Sequence, residues 1–264
     1  MTAAWMFGPL IGGVTVGIWG IEICLLIDVI TFLFSGVVLW SISEIPVIRD
    51  EAGDLREEVS EAWEFVKTQP WLFAGILMFM IWHVGDSAIE IGVPFIIESK
   101  GLGANEFGLF GAVGALGAMA GSIIGGIRPI SKERRGMEFY IFIGGIAWCM
   151  LMWAMPIPFW AILVFVLLEG VLGGTLGVIW RTTMSDSVDQ HLRGRVNSLD
   201  AIGSLIFIPF APLLGGWMIE TTNVLTTYSI AVAFMVLTTT AGLIVPSFRR
   251  FDRIVTERFP ITAD

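Results

Sequence analysis

Long apolar runs separated by short polar segments dominate the hydrophobic pattern of this chain. A transmembrane helix needs about 20 mostly apolar residues, because the hydrocarbon core of a bilayer is about 30 Å thick. The pattern therefore predicts an all-α membrane protein with eight transmembrane helices. These spans cover residues 2–19, 21–42, 71–97, 105–127, 138–155, 158–180, 198–219 and 224–246.

The amino-acid composition indicates that lipid surrounds most of the chain. The sequence is 55% hydrophobic and 15% charged, whereas a soluble domain has about 25% charged residues. Its 31 glycines and 11 tryptophans are typical of close helix packing and of aromatic residues at the membrane interface. Cys24 and Cys149 lie in apolar runs, so we interpret them as packing residues. No histidine–cysteine cluster or phosphate-cradling loop is evident, and we predict no metal, cofactor or nucleic-acid partner.

The distribution of basic residues predicts the orientation in the membrane. When alternate connections are assigned to opposite sides, all but one of the 15 lysines and arginines fall on the same side. The exception is Lys100. Basic residues stay on the cytoplasmic side, so we expect both termini in the cytoplasm and the chain in the cell membrane.

Many acidic residues are concentrated in one cytoplasmic stretch, residues 44–70. Within it, Leu55, Val59, Ala62 and Val66 have the spacing of one face of an amphipathic helix. We interpret the stretch as a solvated connector that lies against the membrane.

A glycine–proline hexapeptide occurs twice, as GPLIGG (8–13) and APLLGG (211–216). Each copy lies in an outward-running helix that is followed by one returning helix and then by cytoplasmic sequence. This repeat predicts two six-helix halves, the first of which lacks its first four helices. Proline bends a helix, and paired glycines let a neighbouring backbone approach, so the motif is either a packing device or a gate. Its residues are Gly8, Pro9, Gly12, Gly13, Pro212, Gly215 and Gly216.

Ionisable residues within the apolar runs are the candidate functional groups, because charge in a bilayer is costly. His83, Asp86 and Glu90 are separated by three and four residues, which places them on one helical face. Glu169 lies near the middle of another run. We predict a proton-coupled pathway, in which the histidine holds or passes a proton. The alternative is a polar cluster that only fixes helix packing.

Two other sets of residues have competing interpretations. Arg193, Arg195 and Asp200 lie at the cytoplasmic end of the seventh run, where they form either a gating ion pair between halves or membrane anchors. Glycines recur every fourth residue in three ladders, which predict helix contacts or, in a transporter, a smooth seam that permits sliding. These ladders are Gly117, Gly121 and Gly125, then Gly170 with Gly174, and Gly173 with Gly177.

The sequence resembles the major facilitator superfamily, and most closely its macrolide-efflux and enterobactin-exporter-like permeases. GPLIGG followed by IDVITFLFSG (27–36) is similar to the fifth and sixth helices of that branch. DLREEVSEAWEFVKTQPWL (54–72) is similar to the central connector, and LRGRVNSLDAIGSLIFIPFAPLLGG (192–216) to the tenth loop and eleventh helix. The resemblance implies that the third and sixth runs, which carry the candidate carboxylates, line the central cavity.

The resemblance also implies a domain organisation and a function. Residues 1–43 correspond to the last two helices of the N-terminal half and 44–70 to the connector, while 71–248 form the six-helix C-terminal half and 249–264 a cytoplasmic tail. The expected function is secondary transport, namely export of a small amphipathic compound in exchange for protons. The alternative is a truncated or degenerate membrane protein without transport activity, or a partner subunit of another permease. We expect no enzymatic activity.

Overall fold

A computed structural model of the chain describes residues 19–42, 55–128 and 134–244, together with Ile11 and Thr15. Nine helices occur within these residues, and the same ranges contain no strand. In chain order the helices are α1 (Ile21–Ser41), α2 (Leu55–Thr68), α3 (Pro70–Ser99), α4 (Ala104–Ile127), α5 (Arg135–Trp153), α6 (Phe159–Ser187), α7 (Gln190–Leu205), α8 (Ala211–Thr221) and α9 (Val224–Ile244).

Six of the described helices are long and apolar enough to cross a membrane, namely α1, α3, α4, α5, α6 and α9. The predicted class, an all-helical multi-pass membrane protein, is therefore confirmed. The predicted number of eight spans is not reached within the described residues. One reason is that the first predicted span, residues 2–19, lies almost entirely outside them.

The predicted span at residues 198–219 is not one continuous helix, which corrects the sequence-based interpretation. Instead, α7 and α8 are separate helices joined by a turn. Proline has no backbone N–H, so Pro209 and Pro212 cannot donate to the carbonyls of Leu205 and Ile208 four residues earlier. In the turn, the N–H of Ile208 donates to the Leu205 carbonyl at 3.0 Å. Neither α7 nor α8 is long enough to span a membrane by itself.

The amphipathic α2 is docked on the helical domain through its apolar face. Ala62 and Val66 are fully buried and belong to the same core as Val196 of α7, against which α2 packs. Val59, predicted on the same face, is exposed, and the side chain of Leu55 lies outside the description. The connector is therefore held by its C-terminal half.

The core forms where α3 packs against α7, α8 and α9, while α6 packs against α4 and α5. Aromatic rings fill the space between α3, α5 and α6: the ring centroids of Phe79 and Trp180 are 5.1 Å apart, and those of Phe79 and Phe139 are 5.3 Å apart. Glycine makes room for this packing, because a side chain at Gly75 would collide with the Trp180 ring. The indole of Trp180 is thereby fixed against α3.

Helices α4 and α6 make a close backbone contact through glycines. A side chain at Gly121 would collide with the Val171 carbonyl, and one at Gly174 with the Ala118 carbonyl. Thr175 donates a hydrogen bond from its Oγ1 to the Gly121 carbonyl across the interface, at 3.0 Å. The helix contact predicted from these two glycine ladders is confirmed.

Helix α1 differs from the others because none of its residues is buried. Large apolar side chains cover its surface; Phe32 is 72% exposed and Trp40 is 92% exposed. A helix that is apolar on every side is suited to a lipid environment or to burial by further helices.

Candidate functional site

The α3 residues predicted from the sequence lie along one face near a break in the helix hydrogen bonding. His83 and Asp86 are half-buried, and Glu90 is exposed. Pro94 lies inside α3 one turn after Glu90. Because proline lacks an N–H, the usual intrahelical bond to the Glu90 carbonyl is missing. The backbone is therefore locally weakened where Glu90 projects.

Glu169 of α6 lies within the range of charge interaction with the two α3 carboxylates. The charge of Asp86 interacts with those of Glu90 and Glu169, and the charges of Glu90 and Glu169 also interact. We call these three residues the carboxylate cluster. Like charges held together favour the uptake of a positive charge, of which a proton is the simplest. In the described part of the chain, no three such side chains have the arrangement of a metal site.

Open space lies beside the carboxylate cluster on α6. Gly173 follows Glu169 by four residues, and a methyl group added there would lie 3.8 Å from Glu169 Oε1. A methyl group added at Gly177, one turn further, would have no atom within 4 Å. A methyl group at Gly173 would also lie 4.0 Å from the side chain of Ile146 of α5. The Gly173–Gly177 ladder therefore lies beside a side chain at Gly173 and has open space at Gly177, and it makes no close backbone contact of the kind seen at Gly170 and Gly174.

His83 has its own set of contacts. Its Nδ1 lies 2.7 Å from the Phe79 carbonyl oxygen, and its ring meets that of Trp82 edge to face at 5.6 Å. The charged group that interacts with the His83 ring is Asp200 of α7. His83 is thus oriented by α3 and linked electrostatically to α7.

The predicted cytoplasmic gate residues have different partners. The Arg193 guanidinium donates to the Ser185 carbonyl at 2.8 Å, which satisfies a carbonyl near the end of α6. Arg195 pairs with Glu61 of the connector helix at 2.9 Å. Asp200 is bonded to neither arginine but to groups within the helical domain. The structure therefore does not bring the three residues together.

Asp200 accepts two hydrogen bonds that were not predicted from the sequence. Trp180 donates from its Nε1 to Asp200 Oδ2 at 3.0 Å, and Ser204 donates from its Oγ to Oδ1 at 3.2 Å. The four-residue spacing of Asp200 and Ser204 could have indicated the second bond. The Trp180 bond joins α6 to α7, and no local pattern in the sequence indicates it.

A second contact missed by sequence reasoning is an ion pair between a buried arginine of α5 and an exposed aspartate of α6. Arg135 lies 2.7 Å from Asp186, and its side chain is only 9% exposed. Among the basic residues of the cytoplasmic side, Arg135 had no feature that distinguished it from an interfacial anchor. Its role in fixing α5 to α6 becomes visible only in the folded chain.

The second copy of the hexapeptide lies within the described residues, whereas most of the first copy does not. In the second copy, Pro212 lies at the start of α8, Gly215 approaches Ala88 of α3, and Gly216 has open space around it. The motif thus serves both as a helix break and as a contact with α3. The residues of the first copy lie outside the described residues: Gly8, Pro9, Gly12 and Gly13.

Comparison with known proteins identifies the family of the chain. No curated protein and no solved structure matches it. A family model described as Major Facilitator Superfamily matches residues 1–199, which include all four candidate pathway residues, His83, Asp86, Glu90 and Glu169. The match extends over most of the chain, and the chain therefore belongs to the major facilitator superfamily, a family of membrane transporters.

Proposed function

We propose that this chain is part of a proton-coupled secondary transporter that exports a small amphipathic compound by alternating access. The observation that carries the proposal is that Asp86 and Glu90 of α3 lie close enough to Glu169 of α6 for their charges to interact. The proposal is supported by family membership, because the superfamily is a family of membrane transporters and not of enzymes. Within such a protein, ionisable groups inside the spans are candidates for proton binding.

The carboxylate cluster supplies a physical basis for coupling. While all three groups are ionised, they repel one another and favour contact with water. Binding of a proton lowers the negative charge of the cluster. Another helix can then pack over the cluster at a smaller desolvation cost. Proton occupancy then biases the equilibrium between outward-open and inward-open states.

The lack of side chains at Gly173 and Gly177 leaves space beside Glu169 for a transported compound. This space lies on the same side of α6 as Glu169. A compound with a polar group and an apolar body could approach Glu169 while its body lies against the glycine backbone. This arrangement supports an amphipathic substrate.

We further propose that the spans correspond to the fifth to twelfth helices of the superfamily fold, in the macrolide-efflux and enterobactin-exporter-like branch. In this assignment both termini are cytoplasmic and the cell membrane is the location. The paired helices α8 and α9 and the docked connector α2 support the assignment. The competing proposal is a non-transporting membrane protein or a partner subunit of another permease.

A transport assay with matched carboxamide variants tests the proposal. Inside-out vesicles containing the intact native protein would be energised with a proton gradient, and uptake of a panel of fluorescent amphipathic dyes would be measured. We expect Glu169→Gln and Asp86→Asn to abolish gradient-driven uptake. Glu98→Gln, the same change near the end of α3, should leave it intact. Undiminished uptake in Glu169→Gln and Asp86→Asn would overturn proton coupling through the cluster.

The mass of the native polypeptide in its own membranes separates the two proposals. A mass larger than 28.9 kDa by about four helices of 20 residues and their loops would restore a complete first half. A native mass equal to 28.9 kDa, combined with no gradient-driven uptake of any dye, would favour the non-transporting alternative.

A further inference from the structure

A groove opens between the end of α4 and the beginning of α5. Both helices pack against α6, but within the described residues they make little contact with each other. The groove has a volume of about 530 Å³ and is lined by Arg128, Arg134, Met137, Glu138, Ile141 and Phe142. Sites for small ligands have volumes of about 300–1,000 Å³. The groove is therefore large enough to receive a ligand.

The lining of the groove carries a net positive charge. Arg128 directly follows α4, and Arg134 directly precedes α5. Glu138, the acidic residue of the lining, pairs with Arg128 at 3.1 Å. Arg134 is exposed, and in the described part of the chain it takes part in no ion pair. Two positive charges thus face one negative charge, and an anion with a single charge would neutralise the excess.

The ion pair also holds Arg128 in a position to bind an anion. Its Nη2 donates to Glu138 Oε1, which uses one nitrogen of a guanidinium that has five N–H donors. The Arg128 side chain is 52% exposed, whereas that of Glu138 is 14% exposed. Glu138 therefore fixes the guanidinium from its buried side and leaves other N–H donors accessible. Arginine can bind a phosphate through two parallel N–H···O bonds.

An apolar strip runs from the groove along α5 into the membrane. Met137 and Ile141 are one turn apart, and each is more than half exposed. Trp148 lies seven residues after Ile141, on the same helical face, and is also exposed. On the other side of the groove, Ile124 is exposed one turn before Arg128. Because α4 and α5 are both candidate membrane spans, these side chains are suited to contact with acyl chains.

This combination of charge and apolar surface matches the two parts of an anionic phospholipid. The arginines lie at the helix ends, which is the level of the lipid headgroups in a spanning protein. A soluble phosphate ester would pair with the arginines but would leave the apolar strip uncovered. An apolar helix or an uncharged lipid would cover the strip but would leave Arg134 without a counter-charge. An anionic phospholipid satisfies both surfaces.

We propose that the groove between α4 and α5 is a binding site for an anionic phospholipid such as phosphatidylglycerol. Its phosphate pairs with Arg128 and Arg134, and an acyl chain lies along Met137 and Ile141. The bound lipid joins α4 to α5, which otherwise are held together mainly through α6. The inference goes beyond the proposed function, because it requires neither proton coupling nor a transported compound.

Photo-crosslinking in lipid nanodiscs tests the site. The full chain would be placed in phosphatidylcholine nanodiscs that contain a small fraction of phosphatidylglycerol with a diazirine in one acyl chain. After irradiation, mass spectrometry of peptides identifies the labelled residues. Phosphatidylcholine with the same diazirine is the control lipid. We expect phosphatidylglycerol to label residues 137–148 about fivefold more than the control lipid does, because anionic headgroups are attracted to basic residues at the membrane surface.

Three variants test the charges of the groove. Arg134→Gln removes the charge without a described partner, and we expect it to lower phosphatidylglycerol labelling of residues 137–148 about fivefold. Glu138→Gln removes the negative charge and should raise the labelling. Arg181→Gln is the matched control, because Arg181 is exposed on α6 but does not line the groove, and it should leave the labelling unchanged. The labelling pattern of the control lipid reports whether each variant folds normally.

Several results would overturn the lipid site. These are equal labelling of residues 137–148 by the two lipids, undiminished labelling in Arg134→Gln, and an equal decrease in Arg181→Gln. Labelling of other helices without labelling of α5 would mean that a protein segment covers the groove. Loss of labelling in excess soluble glycerol phosphate would mean that the groove binds a free phosphate ester instead of a lipid. None of these measurements involves gradient-driven uptake, so failure of the lipid site is distinguishable from failure of the proposed function.

Discussion

Two glycine ladders lie side by side on α6 and have opposite surroundings. Gly170 and Gly174 form the packed column, where the backbone of α4 occupies the space that side chains would take. Gly173 and Gly177 form the open column, which follows Glu169 at helical spacing; side chains lie no closer than 3.8 Å to a methyl group at Gly173, and none lies within 4 Å of one at Gly177. In the sequence the two ladders are equivalent. Glycine at every fourth position therefore permits another helix to approach closely, but the pattern does not show whether one does.

The largest expected effect comes from adding one methyl group to each column. Gly174→Ala would press a methyl group onto the Ala118 carbonyl and should lower the free energy of unfolding by about 3 kcal/mol. Gly177→Ala fills empty space and should raise it by about 0.5–1 kcal/mol, because alanine favours helix over glycine. Unfolding in mixed detergent micelles measures both values. Equal effects in the two variants would show that the columns do not differ.

A second contrast concerns the two acidic residues of α6. Asp186→Asn removes the partner of the largely buried Arg135 and should cost about 2 kcal/mol, since an unpaired charge would remain partly out of water. Glu169→Gln removes a group that faces like charges, so we expect no loss of stability. The same micelle experiment checks both variants. A loss in Glu169→Gln as large as that in Asp186→Asn would indicate that Glu169 has a structural partner.

Much of the fold follows from the sequence because lipid imposes a simple rule. The apolar run at residues 71–97 predicted α3 to within two residues at each end, since a spanning helix needs a minimum length of apolar sequence. The run at 198–219 was equally apolar on average, but Pro209 and Pro212 divide it. Average hydrophobicity does not detect a missing backbone donor, whereas the positions of the prolines do.

The candidate site was only partly predictable. Helical spacing placed His83, Asp86 and Glu90 on one face, because the period of an α-helix fixes which residues are neighbours. The approach of Glu169 to two of them, and the bond from Trp180 to Asp200, depend on how separate helices pack. Packing of this kind is set by side-chain shape across the interface, which a single helix pattern does not contain.

The open column also allows a prediction about transport activity. Gly177→Leu should fold normally, since nothing lies within 4 Å of a methyl group at this position. If this surface receives the transported compound, the variant should lower gradient-driven uptake about tenfold, equivalent to about 1.4 kcal/mol. Gly126→Leu is the control, because Gly126 of α4 has equally open surroundings but lies away from Glu169. Uptake that falls equally in both variants would contradict a specific role for the open column.

The smallest expected effect is at the connector, whose attachment combines an exposed ion pair with buried apolar contacts. Glu61→Gln breaks the pair with Arg195, but Glu61 is about half exposed, so the loss should be no more than about 0.5 kcal/mol. High salt should mask it, since exposed charges are screened. Val66→Ala removes fully buried methyl groups and should cost more, about 1 kcal/mol, at any salt concentration. Protease sensitivity of α2 measures its docking in both variants. A larger effect from Glu61→Gln would mean that charge, rather than apolar burial, holds α2 on α7. The docking of α2 would then weaken as the salt concentration rises, whereas the backbone contact at the packed column would not.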